Sequence, residues 1–279
     1  MSYLTPPRIP RKVELPPRQA LHAGSPQVLV IGGGPAGIGA ALGAANAGAE
    51  VVLVERYGFL GGNATAALVM PLMSFHNEVK QAVAGDTARL LPPDHGEGEP
   101  VVGGVLWVLL DQLVRAGAAI RPSPETGYTV PFDAELFKRV AYELLATHEV
   151  RTLLHAFASD VLSLSDRARA VFETKSGPLV MDADVIVDCT GDGDIAAAAG
   201  AAYEVGRPED GWTQPMTLMF RMVRFDHEEF TAYARAHPDQ WKGVHGLGDL
   251  VRAATDAGNW TCPARTCSSS PPRTPARWR

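Results

Sequence analysis

The stretch that decides the fold is "VLVIGGGPAGIGAA", Val28 to Ala41. Four branched apolar residues run straight into Gly32-Gly33-Gly34-Pro35-Ala36-Gly37, and an alanine-rich segment follows. An apolar run ended by glycine is the pattern of a buried parallel strand. Ala36 to Asn46 predicts a helix, although Gly39 and Gly43 each weaken it by about 1 kcal/mol relative to alanine. Close approach of helix to sheet is the expected compensation. Gly48 is placed to end the helix, and Val51 to Val54 predicts a second buried strand. The result is a strand-helix-strand unit of about 30 residues.

Within this unit Gly32, Gly34 and Gly37 spell G-x-G-x-x-G. A helix start offers unpaired N–H groups and the positive end of the dipole, so it suits a diphosphate if no side chain holds the phosphates away. Gly32 is assigned to the tight turn, Gly34 to admission of the pyrophosphate and Gly37 to helix-strand packing. Glu55 stands eighteen positions after Gly37, at the end of the second strand. A carboxylate there accepts hydrogen bonds from both hydroxyls of an adenosine ribose. It also repels a 2′-phosphate, which argues against NADP.

Composition narrows the classes. The chain has 279 residues, enough for one large α/β domain or two smaller ones. With 46% hydrophobic and 20% charged residues it reads as globular, and a net charge of −6 leaves no basic footprint for nucleic acid. No apolar run reaches the roughly 18 residues of a membrane helix. The first 25 residues are proline-rich without an apolar h-region and read as an extended arm. Cys189, Cys262 and Cys267 form no C-x-x-C pair, so neither a dithiol centre nor a zinc site is supported, and a reducing cytoplasm fits.

Further along, Gln81 to Pro100 reads as a surface loop and Val105 to Arg115 as a helix. Asp133 is expected to cap a helix carrying Leu136, Phe137, Val140, Leu144 and Leu145 on one face. Thr152 to His155 predicts a strand. "ASDVLSL", "RAVFETK" and "PLVMDAD" predict an antiparallel meander with Gly177-Pro178 at a turn. Val185 to Cys189 predicts another buried strand, followed by "TGDGD" and a short helix, Ile195 to Ala199. A strand is expected near Thr217 to Met222, and helices near Glu228 to Arg235 and Leu250 to Ala257.

Two more glycine segments bear on the cofactor. "ERYGFLGGNAT", Glu55 to Thr65, sets Gly61, Gly62, Asn63 and Thr65 just after the ribose-binding acid. "VIVDCTGDGDIAAAAGA", Val185 to Ala201, runs from a strand through Thr190-Gly191-Asp192 into a small-residue helix. The three motifs, in this order, resemble the FAD-dependent oxidoreductase family with a glutathione-reductase-like FAD-binding fold. The phrases "ERYGFLGGNAT", "VVGG", "DCTGDGD" and "QPMTLMFR" resemble a bacterial branch of poorly defined substrate, over about Gln27 to Met222.

That resemblance implies an α/β chain: a Rossmann-like FAD-binding domain with a parallel sheet and an antiparallel β-meander, plus a partial substrate domain. The expected boundaries are an arm over 1–25, the FAD-binding domain over 26–202 with 71–130 inserted, a partial substrate domain over 203–260, and an aberrant tail over 261–279. It implies FAD, held by Gly32, Gly34, Pro35, Ala36, Gly37, Glu55, Arg56, Gly61, Gly62, Asn63, Thr65, Gly191 and Asp192, with Asp192 accepting from a sugar or ribityl hydroxyl. With one G-x-G-x-x-G, a second nucleotide domain for NADPH is not expected. An NAD-dependent dehydrogenase and a non-catalytic dinucleotide-binding fragment remain as alternatives.

Because a flavin performs the redox chemistry, no catalytic side chain is singled out. The apolar segment Ala67 to Glu78 is expected near the flavin ring, and His76 is its residue titrating near neutrality, although a structural role is the plainer reading. Arg221 and Arg224 could pair with a substrate carboxylate, with a surface role the plainer alternative. Cys189 reads as a packing residue, and Trp107 and Trp212 as core or interface. Asp188, Asp192 and Asp194 lack a calcium-loop pattern, so no metal is expected. The partner is a small-molecule substrate, and homo-oligomerisation stays open.

From Thr261 onward there is no Val, Leu, Ile or acidic residue, so the segment cannot build a core. A disordered tail and a cloning scar are the bland readings. A shifted reading frame is the sharper one, because a GC-rich back-translation of Cys262 to Trp278 read two bases on alternates apolar and polar residues like a strand and turn. By the resemblance, such chains are usually longer and complete their substrate domain at the C-terminus. Sequencing the gene across the codons for Thr255 to Pro275 is expected to show the shift; an undisturbed frame with no homologous reading downstream overturns it.

Overall fold

The computed structural model describes residues 16–73, 75, 100–123, 129–214, 217–221, 223–237, 240 and 247–259. His76, most of the predicted Gln81 to Pro100 loop, Cys262, Cys267 and the tail from Thr261 lie outside these residues. The chain divides into two compact units: Met1–Gly62 with Leu145–Gln214, and Asn63–Leu144 with Pro215–Arg279.

The first unit holds two sheets. One is parallel, formed by β2 (Val28–Ile31), β3 (Val51–Val54), β4 (Arg151–Leu153) and β8 (Val185–Asp188) in the order β4-β3-β2-β8. The other has the order β1-β7-β6-β5, where β5 (Phe157–Ser163), β6 (Ala168–Thr174) and β7 (Gly177–Ala183) form the expected meander. A two-residue strand from the arm, β1 (Leu21–His22), adds to β7 in parallel. β5 is broken by a register shift between Ala158 and Asp160, where the Asp160 carboxylate accepts from the Val161 N–H.

Strand alternation explains the layering. Leu29, Ile31, Val52 and Val54 join Ala170, Phe172, Met181 and Ala183 in one buried cluster, so the meander covers one face of the parallel sheet. Val30, Val51 and Leu53 alternate with them and are equally buried. Helix α1 (Pro35–Asn46) lies against β2, β3 and β8 and buries Gly37, Ile38, Ala41 and Leu42, spaced as one helical face. The meander is further tied by a bidentate pair between cross-strand neighbours: Arg169 Nε and a terminal guanidinium nitrogen donate to Asp182 at 2.6 and 2.9 Å. The Arg169 hydrogen bonds and charge hold the Asp182 carboxyl below the usual range.

The second unit carries α2 (Val105–Arg115), most of α3 (Ala134–Thr147), α5 (His227–Ala236) and α6 (Gly248–Asp256). One buried cluster joins Phe75, Leu110 and Val130 with Leu72, Leu106, Trp107 and Ala119, and Leu113, Phe132, Phe137, Val140 and Ala141 are buried as well. Trp107 is a core residue as expected, meeting Phe75 edge-on at 5.8 Å and donating to the Val102 carbonyl at 2.8 Å. Asp133 caps α3 by accepting from the N–H groups of Glu135 and Leu136.

Several expectations change. β4 stops at Leu153, because His155 takes φ 57°, outside the strand region. The meander turn falls on Lys175 and Ser176, and Gly177 and Pro178 already belong to β7, paired with Thr174 and Glu173. Thr217 to Arg221 forms no strand. Gly39 and Gly43 do not serve close packing: a Cβ on either meets nothing within 4 Å. They lie on the side of α1 turned from the sheet. Gly39→Ala and Gly43→Ala are therefore expected to stabilise the protein by about 1 kcal/mol each, measured by urea unfolding.

Candidate dinucleotide site

Registration of the parallel sheet brings the three motifs together. Ile31 pairs with Val54 on one side and Asp188 on the other, and Val54 pairs with Leu153. The carboxyl ends of all four strands thus form one row. Gly32, Glu55, His155 and Thr190 all lie within two residues of that row. Crevices outside the carboxyl ends of parallel strands are where open α/β sheets bind ligands.

The first glycine motif is shaped by backbone packed on backbone. A Cβ on Gly32 would lie 2.1 Å from the Cys189 carbonyl oxygen, and Gly32 has φ 107°. A Cβ on Gly37 would lie 1.8 Å from the Gly32 carbonyl oxygen. Gly33, between the motif positions, is also constrained: its Cβ would sit 2.6 Å from Leu60 Cδ2. Gly32 and Gly37 are required by the protein itself. Gly34 is different, since it has φ −72° and its Cβ would find only Gly62 Cα, at an ordinary 3.8 Å.

Gly34 is also the N-cap of α1, and it offers no side-chain acceptor. Pro35 begins the helix and no acidic residue stands in the first turn. The first-turn donors and the dipole are therefore left for an external acceptor. The second glycine segment joins the first through the Gly61 N–H, which donates to the Gly33 carbonyl at 2.8 Å. Gly62 lies against Gly34, where a Cβ on Gly62 would come within 2.9 Å of Gly34 Cα. Asn63 and Thr65 belong to the second unit; Thr65 is buried and Asn63 accepts from the Val69 N–H through its carbonyl.

Glu55 is buried, 5% exposed. Its Oε2 accepts from the Gly33 N–H at 2.6 Å and its Oε1 from the Tyr57 N–H at 2.8 Å. One carboxylate thus ties the first glycine loop to the chain leaving β3. A carboxylate has about four acceptor sites, so two N–H donors leave room for hydroxyl donors. Arg56 folds back over the Tyr57 ring, 4.8 Å from its centroid, and Tyr57 stacks on Phe59 at 5.6 Å. The His155 ring fills the space beside Gly58, where a Cβ would come within 2.5 Å of it.

Sequence reading missed the part played by Asp188. Its Oδ1 accepts from the Thr190 N–H at 2.9 Å and hydroxyl at 2.7 Å, and its Oδ2 from the Ala196 N–H at 2.8 Å. It thereby caps α4 (Asp194–Ala198), whose own N-cap residue, Gly193, has no side chain. The Asp-x-Thr spacing at a strand end was the available signal. Burial works to raise the Asp188 pKa, but the hydrogen bonds from Thr190, Ala196 and Ile195 outweigh it and hold the carboxyl below its usual range. Between these anchors Gly191 (φ 99°) and Asp192 stand exposed, and the Asp192 carboxylate has no hydrogen bond among the described residues. Burial, followed by the charge of Asp188, pushes the Cys189 thiol up, which suits an inert packing residue.

The family model described as FAD dependent oxidoreductase matches residues 27–276. A soluble pyridine nucleotide transhydrogenase from Chromohalobacter salexigens is 41% identical over 63 residues, covering 23% of this chain and 14% of that protein. The protein of the same description from Pseudomonas putida (strain W619) is 30% identical over 113 residues, covering 39% of this chain and 23% of its own. The chain therefore spans less than a quarter of these curated relatives. Among solved structures, p-nitrophenol 4-monooxygenase from Pseudomonas putida DLL-E4 aligns with TM-score 0.41 and 15% identity, over 63% of this chain and 43% of that one. A flavoprotein/dehydrogenase from Cytophaga hutchinsonii aligns with TM-score 0.39 and 19% identity, over 63% and 42%.

Asp188 yields a prediction with a definite sign. Its folded-state pKa is depressed, so its stabilisation is complete above the ordinary carboxylate value and is lost as pH falls through the folded value. Asp188→Asn is expected to cost about 1–2 kcal/mol at neutral pH, allowing for partial exposure, and progressively less below about pH 4. Urea midpoints of both proteins against pH check this; a gap that does not close in acid contradicts it.

Proposed function

Because the chain belongs to the FAD-dependent oxidoreductase family, we propose that its strand-end loops hold FAD and that it transfers a hydride or electrons between FAD and a small organic substrate. The observation that carries this reading is Gly34. The fold tolerates a side chain there, so the bare backbone answers to a ligand. The pyrophosphate falls to the first-turn donors of α1 beside Gly34, Pro35, Ala36 and Gly37. Glu55 takes the ribose hydroxyls with its remaining lone pairs, with Arg56 next to it. Gly61 and Gly62 give side-chain-free backbone over the same loop, and Gly191 and Asp192 offer close approach and an acceptor for a ribityl hydroxyl. Asn63 and Thr65 complete the set. When bound, FAD supplies two-electron redox chemistry that no side chain of this protein can perform. The residues named here hold, orient and desolvate.

The reading keeps 26–202 as the FAD-binding region with an insertion, supported by the return of the chain to the first unit at Leu145. It keeps 203–260 as a partial substrate domain. No helix among the described residues is long and apolar enough to cross a membrane. A cytoplasmic setting suits a chain with three cysteines and no C-x-x-C pair.

Gly34→Ala separates ligand from fold. Its unfolding free energy is expected to fall by no more than about 1 kcal/mol, the cost of alanine at an N-cap. Its affinity for FAD, read from visible flavin absorption after equilibrium dialysis, is expected to fall at least about tenfold, a loss of about 1.4 kcal/mol. Undiminished FAD uptake by the variant, or a parent that takes up no FAD, overturns the reading.

A further inference from the structure

The second unit contains an open cleft lined by none of the residues assigned to the dinucleotide. Leu68, Met70, Leu218, Met219, Phe220 and Arg221 line about 370 Å³ of space, within the range of small-molecule pockets. Five of the six are apolar. Two of these are otherwise poorly placed, since Leu218 is 83% and Phe220 63% exposed. The sixth is a cation. Arg221 has no hydrogen bond or ion pair among the described residues, in a protein where Arg169 and Arg207 both form bidentate carboxylate pairs. Leu68 holds φ 55°, a backbone conformation L residues adopt reluctantly. The adjacent Val69 N–H is fastened to the Asn63 carbonyl at 2.9 Å. That wall of the cavity is therefore built into a fixed, unfavourable shape.

A pocket of apolar walls with one unpaired guanidinium selects its ligand by chemistry. The walls reward a hydrocarbon body by removing it, and themselves, from water. The guanidinium rewards a planar anion that can accept two parallel N–H bonds. We propose that this cavity binds a small apolar carboxylic acid as its carboxylate. The step that names this acid as the redox substrate rests on the flavoenzyme reading above; the binding itself does not. A volume of about 370 Å³ has room for a medium-chain or single-ring acid.

Isothermal titration of the protein with octanoate, octan-1-ol and octylamine tests the proposal. Octanoate is expected to bind, with octan-1-ol and octylamine at least about tenfold weaker, because only the carboxylate meets Arg221 with a charge-assisted pair. Arg221→Gln is expected to weaken octanoate about tenfold or more while leaving octan-1-ol unchanged. Arg221→Lys, which keeps the charge, is expected to recover part of the affinity. Phe220→Ser is expected to weaken octanoate and octan-1-ol alike. Equal affinity for octanoate and octan-1-ol, or octanoate binding untouched by Arg221→Gln, overturns the proposal. The visible spectrum of the same sample keeps the two readings apart. A flavin-loaded protein that ignores octanoate removes the pocket alone. A colourless protein that takes up no FAD but binds octanoate removes the flavoenzyme reading and leaves the pocket standing.

Discussion

Main chain resting directly on main chain is the constraint from which the first unit follows. Where β2 ends, Gly32 has the Cys189 carbonyl where its side chain would be, and Gly37 has the Gly32 carbonyl. Both contacts need the strands in register and the helix at one height above the sheet. The buried Glu55 carboxylate then fastens the Gly33 amide to the chain leaving β3. Asp188 does the equivalent service for the loop after β8. Two carboxylates holding backbone amides thus fasten the loops at the strand ends. Preorganisation of this kind lowers the ordering cost of binding.

Much of this was legible in residue order. The buried strand before Gly32, the alanine-rich helix and the second strand ending at Glu55 are local patterns, and local patterns survive folding. The meander was legible for the same reason, since β6 and β7 alternate. What escaped depended on contacts between distant segments. Gly39 and Gly43 look like packing glycines from composition alone, because the side of the helix they occupy is visible only once the sheet is in place. Gly33 reads as a spacer between motif glycines until Leu60 comes up beside it. The length of β4 was overestimated because His155, an ordinary residue in a strand-like run, takes a left-handed conformation beside Gly58.

The second unit was less legible, and for a physical reason. Its buried residues come from separate segments, among them Phe75, Leu110, Leu113, Val130, Phe132 and Phe137. "TLMFRM" has strand-like composition, but strand formation needs a partner edge for its backbone groups, and Thr217 to Arg221 has none in the described residues. The same exposure that denies it a strand leaves Leu218, Phe220 and Arg221 facing a cavity.

The short arm strand and the irregularity in β5 act together on the mixed sheet. An outer strand with free amides and carbonyls is a template on which other chains can grow. At one border, Leu21 and His22 occupy the rim of β7, so a stranger must first displace a segment of the same molecule. At the other, the break between Ala158 and Asp160 spoils the even spacing of β5, and the Asp160 side chain already engages a neighbouring amide. Both margins of the meander are thereby guarded against intermolecular growth, by a strap on one side and a kink on the other.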